Sequence, residues 1–541
     1  MRRIDRIAAS RLSRAGREVA VFERGREIHS GDYPNHAAAF LQEMQADVLG
    51  LHIGSPTALF DLRFNDDMNV IVGCGLGGTS LINANISLVP EKRVFEDQVW
   101  PQAIRQEAQR GDLEPYFQYA LNMLGAAPFP SQSPEALKMK AFATIAQRVS
   151  VPIARLPINV TFQTGPNIAG VQQNACVGCG DCVSGCNYAA KNTVLMNYLP
   201  DAKHHGAEIF TCMRVSSIVR GDGGWKLIFD QGTTVTADVV VLAAGTLGST
   251  EILLRSAAQG LPLSNTLGTR FSGNGDMIGV TYNADEPMNA IGLGRRSIDG
   301  REPVGPCSTV CIDHRNQPDL AEGRVLIDSA IPGAFGPFLA EFLKAGLALT
   351  GVRAKRGPLS WVNATYRKLS SLVLGPYHGA VHNTLNYLVV SHDDSGGRMY
   401  LEGDKLRLSW PGVGRSPGAD KAAELIQQAS CVLAGDYVPN PVWNRFTGHQ
   451  LLTGHPLGGC IMGEKAEVAV VNHEGKVFSL ASGTTVHPGL YVMDGAVVPR
   501  SLGVNPLLTI SALAERSCAK LATEKGWTIR YPSPGTSAPR N

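Results

Sequence analysis

Four cysteines crowd into one short string, Cys176-Val-Gly-Cys179-Gly-Asp-Cys182-Val-Ser-Gly-Cys186. The C-x2-C-x2-C-x3-C spacing suits thiolate ligation of an iron–sulfur cluster and is too compressed to favour zinc. Asn187 follows where a two-cluster ferredoxin carries proline, and no second set of cysteines exists. Two readings therefore stay open: a [4Fe-4S] cluster, or a tight Gly/Cys loop with reduced thiols. His455 stands between Gly454 and Pro456 in GHPLGGC. Imidazole is the side chain suited to exchanging a proton near neutral pH, although a lone histidine is more often structural. The run GCGLGG, Gly73–Gly78, leads into Thr79-Ser80-Leu81-Ile82-Asn83. Gly75, Gly77 and Gly78 permit close backbone approach, and Ser80 and Asn83 bring polar groups to a loop-to-helix junction that can meet a phosphate or a cofactor ring. Glu23 closes the strand VAVFE, where an acid at the end of a second strand accepts hydrogen bonds from ribose hydroxyls.

These groups need elements to hold them. Ile7–Leu12 reads as a helix, with Gly16 at its C-cap, and Val19–Phe22 as a buried strand. Asn69–Val72 is the strand before the glycine run, and a helix is expected after it. Arg214–Val219, Trp225–Phe229 and Thr233–Thr236 read as an antiparallel set. It feeds the buried strand Val239–Leu242, the turn Ala243-Ala244-Gly245 and a helix carrying Glu251–Leu254. From Asp276 to about Gly448 the pattern is irregular, with strands at Asn386–Ser391 and Lys405–Trp410 and a helix near Ala419–Ala434. The apolar stretch Phe335–Val352 is read as a buried helix in preference to a lid touching a lipid surface. A strand at Gly489–Met493 and a helix from near Pro506 close the pattern.

The order of these strings resembles the glucose–methanol–choline (GMC) oxidoreductase family, in its cholesterol-oxidase-like branch. GCGLGGTSLINAN, Gly73–Asn85, is similar to the family's first signature, and Asn83 matches its flavin-contacting asparagine. The two glycines that follow in the family are Ala84 and Asn85 here, which alters the fit against the flavin ring. VVVLAAGTLGSTEILLRS, Val239–Ser256, resembles the second signature, with Ala244 and Gly245 at the adenosine end of the cofactor. Val215 matches the position where the family's backbone meets adenine. GHPLGGC followed by GVNPLLT resembles the family's active-site pair, which implies His455 as proton acceptor and Asn505 as the group orienting the hydroxyl. Asp494, Gly495, Pro506 and Leu507 then lie along the flavin. The string from Cys176 to Thr193 also recurs in this branch.

The resemblance covers Ala8 to about Ala522 and implies an α/β fold: a three-layer, Rossmann-like FAD-binding domain, discontinuous over 1–32, 62–95, 175–275 and 450–525. An inserted α+β substrate domain, 96–174 and 276–449, carries an antiparallel sheet. A tail over 526–541 is expected to be disordered. The implied reaction is oxidation of the CH–OH group of a bulky apolar alcohol, sterol-like or long-chain, by hydride transfer to flavin N5, with oxygen or another acceptor taking the electrons. Cholesterol oxidases also carry a glutamate that moves the steroid double bond. None occurs at Gly379–Leu388, so an isomerase step is not expected.

Composition narrows the alternatives. The 541 residues carry 49 Lys and Arg against 47 Asp and Glu, a net charge of +2, with no basic block to argue for nucleic acid. No run of about 18 apolar residues indicates a membrane span. The start has no apolar h-region, and 11 cysteines is an odd count, so a cytoplasmic protein with reduced thiols is expected. A G-x-G-x-x-G loop belongs just before Ala8, where the chain reads MRRIDRI. The regular continuation from Ala8 favours a gene start placed too late. Two competing readings are an electron-transfer protein built on flavin and an iron–sulfur cluster, and a catalytically silent relative lacking the glycine loop.

Overall fold

A computed structural model describes residues 6–48 and 51–532. The expected position of the missing glycine loop, residues 1–5, and residues 533–541 of the expected tail lie outside the described residues. Trp527 and Tyr531, within the stretch read as tail, pack on the body. Arg17 lies over the Trp527 ring, and Tyr531 stacks on Tyr119 at 4.1 Å.

Short parallel pairs build the first half of the molecule. Ala20–Phe22 pairs with Glu208–Phe210, and Val240–Leu242 pairs with Val486–Val492, which continues antiparallel to Lys476–Phe478. The runs AVF and VVL are buried along their whole length, as strands covered on both faces must be. The antiparallel meander Val215–Gly221, Gly224–Phe229 and Thr234–Ala237 follows the sequence reading closely. Leu507–Glu524 and Arg6–Arg14 pack against this half.

The second half is a six-stranded antiparallel sheet, in the order Asp436–Pro439, Met277–Tyr282, Leu385–Ser391, Arg324–Ser329, Val310–Asp313 and Ile153–Arg155. It fills the stretch that reads as irregular in sequence, because strands such as RVLIDS are buried on both faces and lose period-two alternation. A third sheet of five strands joins Leu451–Thr453 and Met68–Gly73 to Phe60–Arg63, Met44–Val48 and Leu51–Ile53.

Two expectations need correction. The helix expected after the glycine run is a single 3-10 turn, Gly78–Leu81. Within it Ser80 Oγ donates to the Gly77 carbonyl at 2.7 Å, and Asn85 then takes a left-handed φ of 68°. The stretch read as a buried helix is the helix Gly336–Leu349, buried on one side only: Leu339 and Leu343 face inward, while Phe338, Phe342 and Leu349 are exposed.

The two ends of the chain meet through a buried ion pair. Arg11 donates twice to Glu515, at 2.7 and 2.6 Å, both side chains being fully buried, and Tyr198 Oη donates to the same carboxylate at 2.8 Å. Removing one partner strands a charge in low dielectric, at a cost of about 3–5 kcal/mol, whereas replacing both with apolar groups costs far less. Glu515→Gln is therefore expected to lower the denaturation midpoint strongly. The double variant Arg11→Met/Glu515→Leu is expected to recover most of the loss in the same urea titration. A single variant as stable as the parent would refute the assignment.

Candidate active site

A cavity of about 700 Å³ lies between the parallel pairs and the six-stranded sheet. Its walls bring together the sequence-predicted residues Glu23, Gly77, Gly78, Ser80, Asn83, Val215, Ala244, Gly245, His455, Asp494, Gly495, Asn505, Pro506 and Leu507. Gly75, expected at the cofactor, does not line it. Its φ is 145°, and a Cβ on it would fall 3.1 Å from the Arg26 carbonyl and from the Leu81 side chain, so this glycine serves packing. Glu23 sits on the wall with Oε1 accepting from Gly25 N at 2.8 Å and Oε2 from Arg6 at 3.0 Å.

His455 is held from both sides. Nδ1 lies 2.8 Å from Asp276 Oδ1, and Nε2 lies 3.3 Å from Asn505 Nδ2. A carboxylate with no proton can only accept, so Nδ1 carries the hydrogen and Nε2 presents its lone pair to the amide of Asn505 and to the cavity. Asp276 has 2 % of its side chain exposed. Its second oxygen accepts from Thr453 Oγ1 at 2.8 Å and from Gly454 N at 3.1 Å, and Thr453 Oγ1 in turn accepts from the His455 amide at 2.8 Å. The imidazole is thus fixed in place, rotation and tautomer by groups that share one carboxylate.

Asp276 is the functional residue that the sequence reading missed. It ends the string Gly273-Asn274-Gly275-Asp276, just before the alternating strand Met277–Tyr282. Asn274 works with it: Nδ2 donates to the Val504 carbonyl and Oδ1 accepts from Leu502 N, both at 2.8 Å. That pins the segment leading to Asn505. His392 lies behind the same segment, where a Cβ on Gly503 would fall 2.4 Å from its Nε2. Burial, aided by the Arg500 charge, pushes the His392 imidazole down to about 4.

Several polar groups on the wall have no protein partner among the described residues: both side-chain atoms of Asn85, Oδ1 of Asn505 and Oγ of Ser511. Buried polar atoms rarely stay unpaired, so these fit a ligand that brings its own donors and acceptors. Gly77 and Gly78 have φ of 123° and 53°, and a Cβ on Gly77 would come 2.6 Å from the Leu81 side chain. Asp494 accepts from Ala496 N at 2.8 Å, Gly245 N at 2.9 Å and Ser249 Oγ at 2.5 Å. Burial pushes its carboxyl up to about 6. The first turn of the helix Leu507–Glu524 also reaches the wall, bringing the positive end of its dipole.

None of the four cysteines lines this cavity, although Val183 between them does. Among the described residues no group of three or more His, Cys, Asp or Glu side chains is arranged to hold a metal ion. Cys176, Cys179, Cys182 and Cys186 border a separate space of about 20 Å³, room for a water molecule. Burial pushes the Cys176 thiol up to about 11 and Cys182 up to about 12, and raises Cys179 well above its usual value. The loop acts as a clamp. Lys191, buried just beyond it, donates to the carbonyls of Leu81, Asn83 and Cys182 at 2.8–3.0 Å. Asp181 accepts from Gly333 N at 2.7 Å and Gly294 N at 2.9 Å.

Models of the GMC oxidoreductase family match residues 47–272 and 416–514. A cholesterol oxidase of Mycobacterium tuberculosis is 27% identical over 98% of this chain and 91% of its own length. A long-chain-alcohol oxidase of Arabidopsis thaliana is 22% identical over 94% of this chain and 64% of its own length. In structure, pyridoxine 4-oxidase from Mesorbium loti superimposes with a TM-score of 0.57 at 16% identity, covering 96% of both chains.

Asp276→Asn offers Nδ1 an amide donor in place of a carboxylate and is expected to move the His455 proton from Nδ1 to Nε2. Ring ¹⁵N chemical shifts read the tautomer directly, and an unchanged pattern would break the link between the two residues. His392 gives a pH test. Above pH 6.5 it is neutral whether folded or not. As pH falls from 6.5 toward 4 only the unfolded chain takes up its proton, so folding stability is expected to drop by about 3 kcal/mol. Denaturation midpoints at pH 7 and pH 4.5 should differ less in His392→Gln; equal pH sensitivity would exclude the assignment.

Proposed function

This chain belongs to the GMC oxidoreductase family, and from that premise we propose that it binds FAD and oxidises the CH–OH group of a bulky apolar alcohol, sterol-like or long-chain. The observation that carries the reading is the His455–Asn505 pair, held by Asp276, on the wall of a cavity of about 700 Å³. GMC oxidoreductases are FAD-dependent, and the unpaired polar atoms of Asn85, Asn505 and Ser511, together with the Gly77–Gly78 backbone, fit that cofactor. When bound, FAD supplies the hydride acceptor.

The chain's own residues do the rest. Nε2 of His455 accepts the hydroxyl proton as the carbinol carbon is oxidised. Asn505 Nδ2 points at the same spot and stabilises charge building on the alcohol oxygen. Ile278, Val280, Ile331, Leu339, Leu343 and Leu388 line the cavity toward the six-stranded sheet. This wall suits an apolar body and keeps water from the reacting oxygen. From Gly379–Leu388 the cavity receives Asn386 and Leu388, an amide and an alkyl group with no proton to relay in a double-bond shift. The likeness to a cholesterol oxidase and a long-chain-alcohol oxidase supports the substrate class. Electrons leave to oxygen or another acceptor. The reading places the chain in the cytoplasm, as its cysteine usage suggests.

Denaturing the purified protein is expected to release a yellow chromophore. Its absence would favour the catalytically silent reading. With FAD present, His455→Ala should slow flavin reduction by cholesterol or a long-chain alcohol by ~10²-fold or more while the cofactor stays bound. An unchanged rate in anaerobic stopped flow would remove His455 from the reaction.

A further inference from the structure

We propose that the helices Gly336–Leu349 and Pro358–Leu374 form a surface that docks on an anionic lipid bilayer, from which the alcohol enters the cavity. The route rests on the functional reading above, but the docking surface is argued from the helices themselves.

The second helix is inside out. Its inward stripe is polar. Ala364 and Ser371 are buried, and Arg367 between them bonds Asn283 Oδ1 at 2.7 Å and Asp285 Oδ1 at 3.1 Å. Lys368 reaches Asp436 Oδ2 at 3.2 Å. Its outward stripe is apolar: Leu359, Trp361, Val362, Tyr366, Leu369 and Val373 are all more than half exposed, up to 76 %. An ordinary surface helix shows the reverse, and a contiguous apolar face of this size marks a place where another phase or molecule is met.

Charge selects the occupant. Of the six Lys and Arg between residues 336 and 378, Lys344, Arg356, Arg367 and Lys368 pair with Glu341, Asp436 and Asp285. Arg353 and Lys355, on the connection between the helices, are exposed and in no ion pair among the described residues. Apolar side chains beside unpaired cations are the composition of an interfacial anchor on anionic lipid. A second copy of the chain would set these cations against their own kind. No described helix is long and apolar enough to cross a membrane, so the contact is a docking and not a span.

The surface is continuous with the cavity. Phe335, Leu339, Phe342 and Leu343 line the cavity from the first helix, and Phe342 is also 41 % exposed. One helix is therefore the wall between the lipid-facing surface and the site. A water-insoluble alcohol gains a path that never leaves an apolar environment.

The test is co-sedimentation of the full chain with vesicles of phosphatidylcholine alone and of phosphatidylcholine with phosphatidylserine, without any alcohol present. Binding to the anionic vesicles is expected, weaker on the neutral ones. Trp361→Gln/Leu369→Gln/Val373→Gln should lower the bound fraction on anionic vesicles ~10-fold or more, and Arg353→Glu/Lys355→Glu should abolish the preference for anionic lipid. Both variants should keep the parent's rate on a short, water-soluble alcohol. No vesicle binding by the parent, or equal binding by the triple variant, overturns the proposal. So does a parent dimer in sedimentation velocity that the triple variant dissolves without vesicle binding. Vesicle binding by a protein that oxidises no alcohol would sink the functional reading alone.

Discussion

A carboxylate with almost no access to water, Asp276, holds the imidazole of His455 on the cavity wall. That contact decides which nitrogen bears hydrogen, where the free lone pair points, and how far the ring sits from Asn505. Burying the acid has a cost, and the structure offsets it by giving the second oxygen a hydroxyl and a backbone amide. Asn274, two residues earlier, ties in the segment that delivers Asn505. A short turn thus sets the spacing between two groups that lie far apart in the chain.

The cysteine string supports this arrangement from beneath. Lys191 fastens the loop to the backbone of Leu81 and Asn83, and Asp181 fastens it to Gly294 and Gly333. The cofactor-side loop and the entrance to the first surface helix therefore share one anchor. A dense run of glycines and cysteines suits the task, because small side chains let several backbones converge.

Local strings were readable where chemistry and chain order coincide. The glycine run, the buried VVVL strand, and the strings around His455 and Asn505 all converge on one cavity. What escaped reading has physical causes. Asp276 acts on a residue 179 positions away, and an isolated acid after Asn-Gly looks like an ordinary turn. The spacing of the four thiols spoke for a metal, but spacing reports sequence distance, not whether the folded loop gathers the side chains around one point, and among the described residues no such group is arranged. Arg324–Ser329 and Val310–Asp313 hid because strands covered on both faces carry no alternation. The helix Gly336–Leu349 is apolar nearly all round, so composition named its class without telling which side meets solvent.

The pairing of Arg11 with Glu515 spans 504 positions of sequence. During synthesis the first helix emerges long before its partner, and its guanidinium stays hydrated until the last helix arrives. The loop that must close is nearly the whole chain, so this contact forms late, after the sheets between have folded. Since the helix Leu507–Glu524 also carries Leu507 and Ser511 to the cavity wall, the ion pair that seats this helix on Arg6–Arg14 also closes the site.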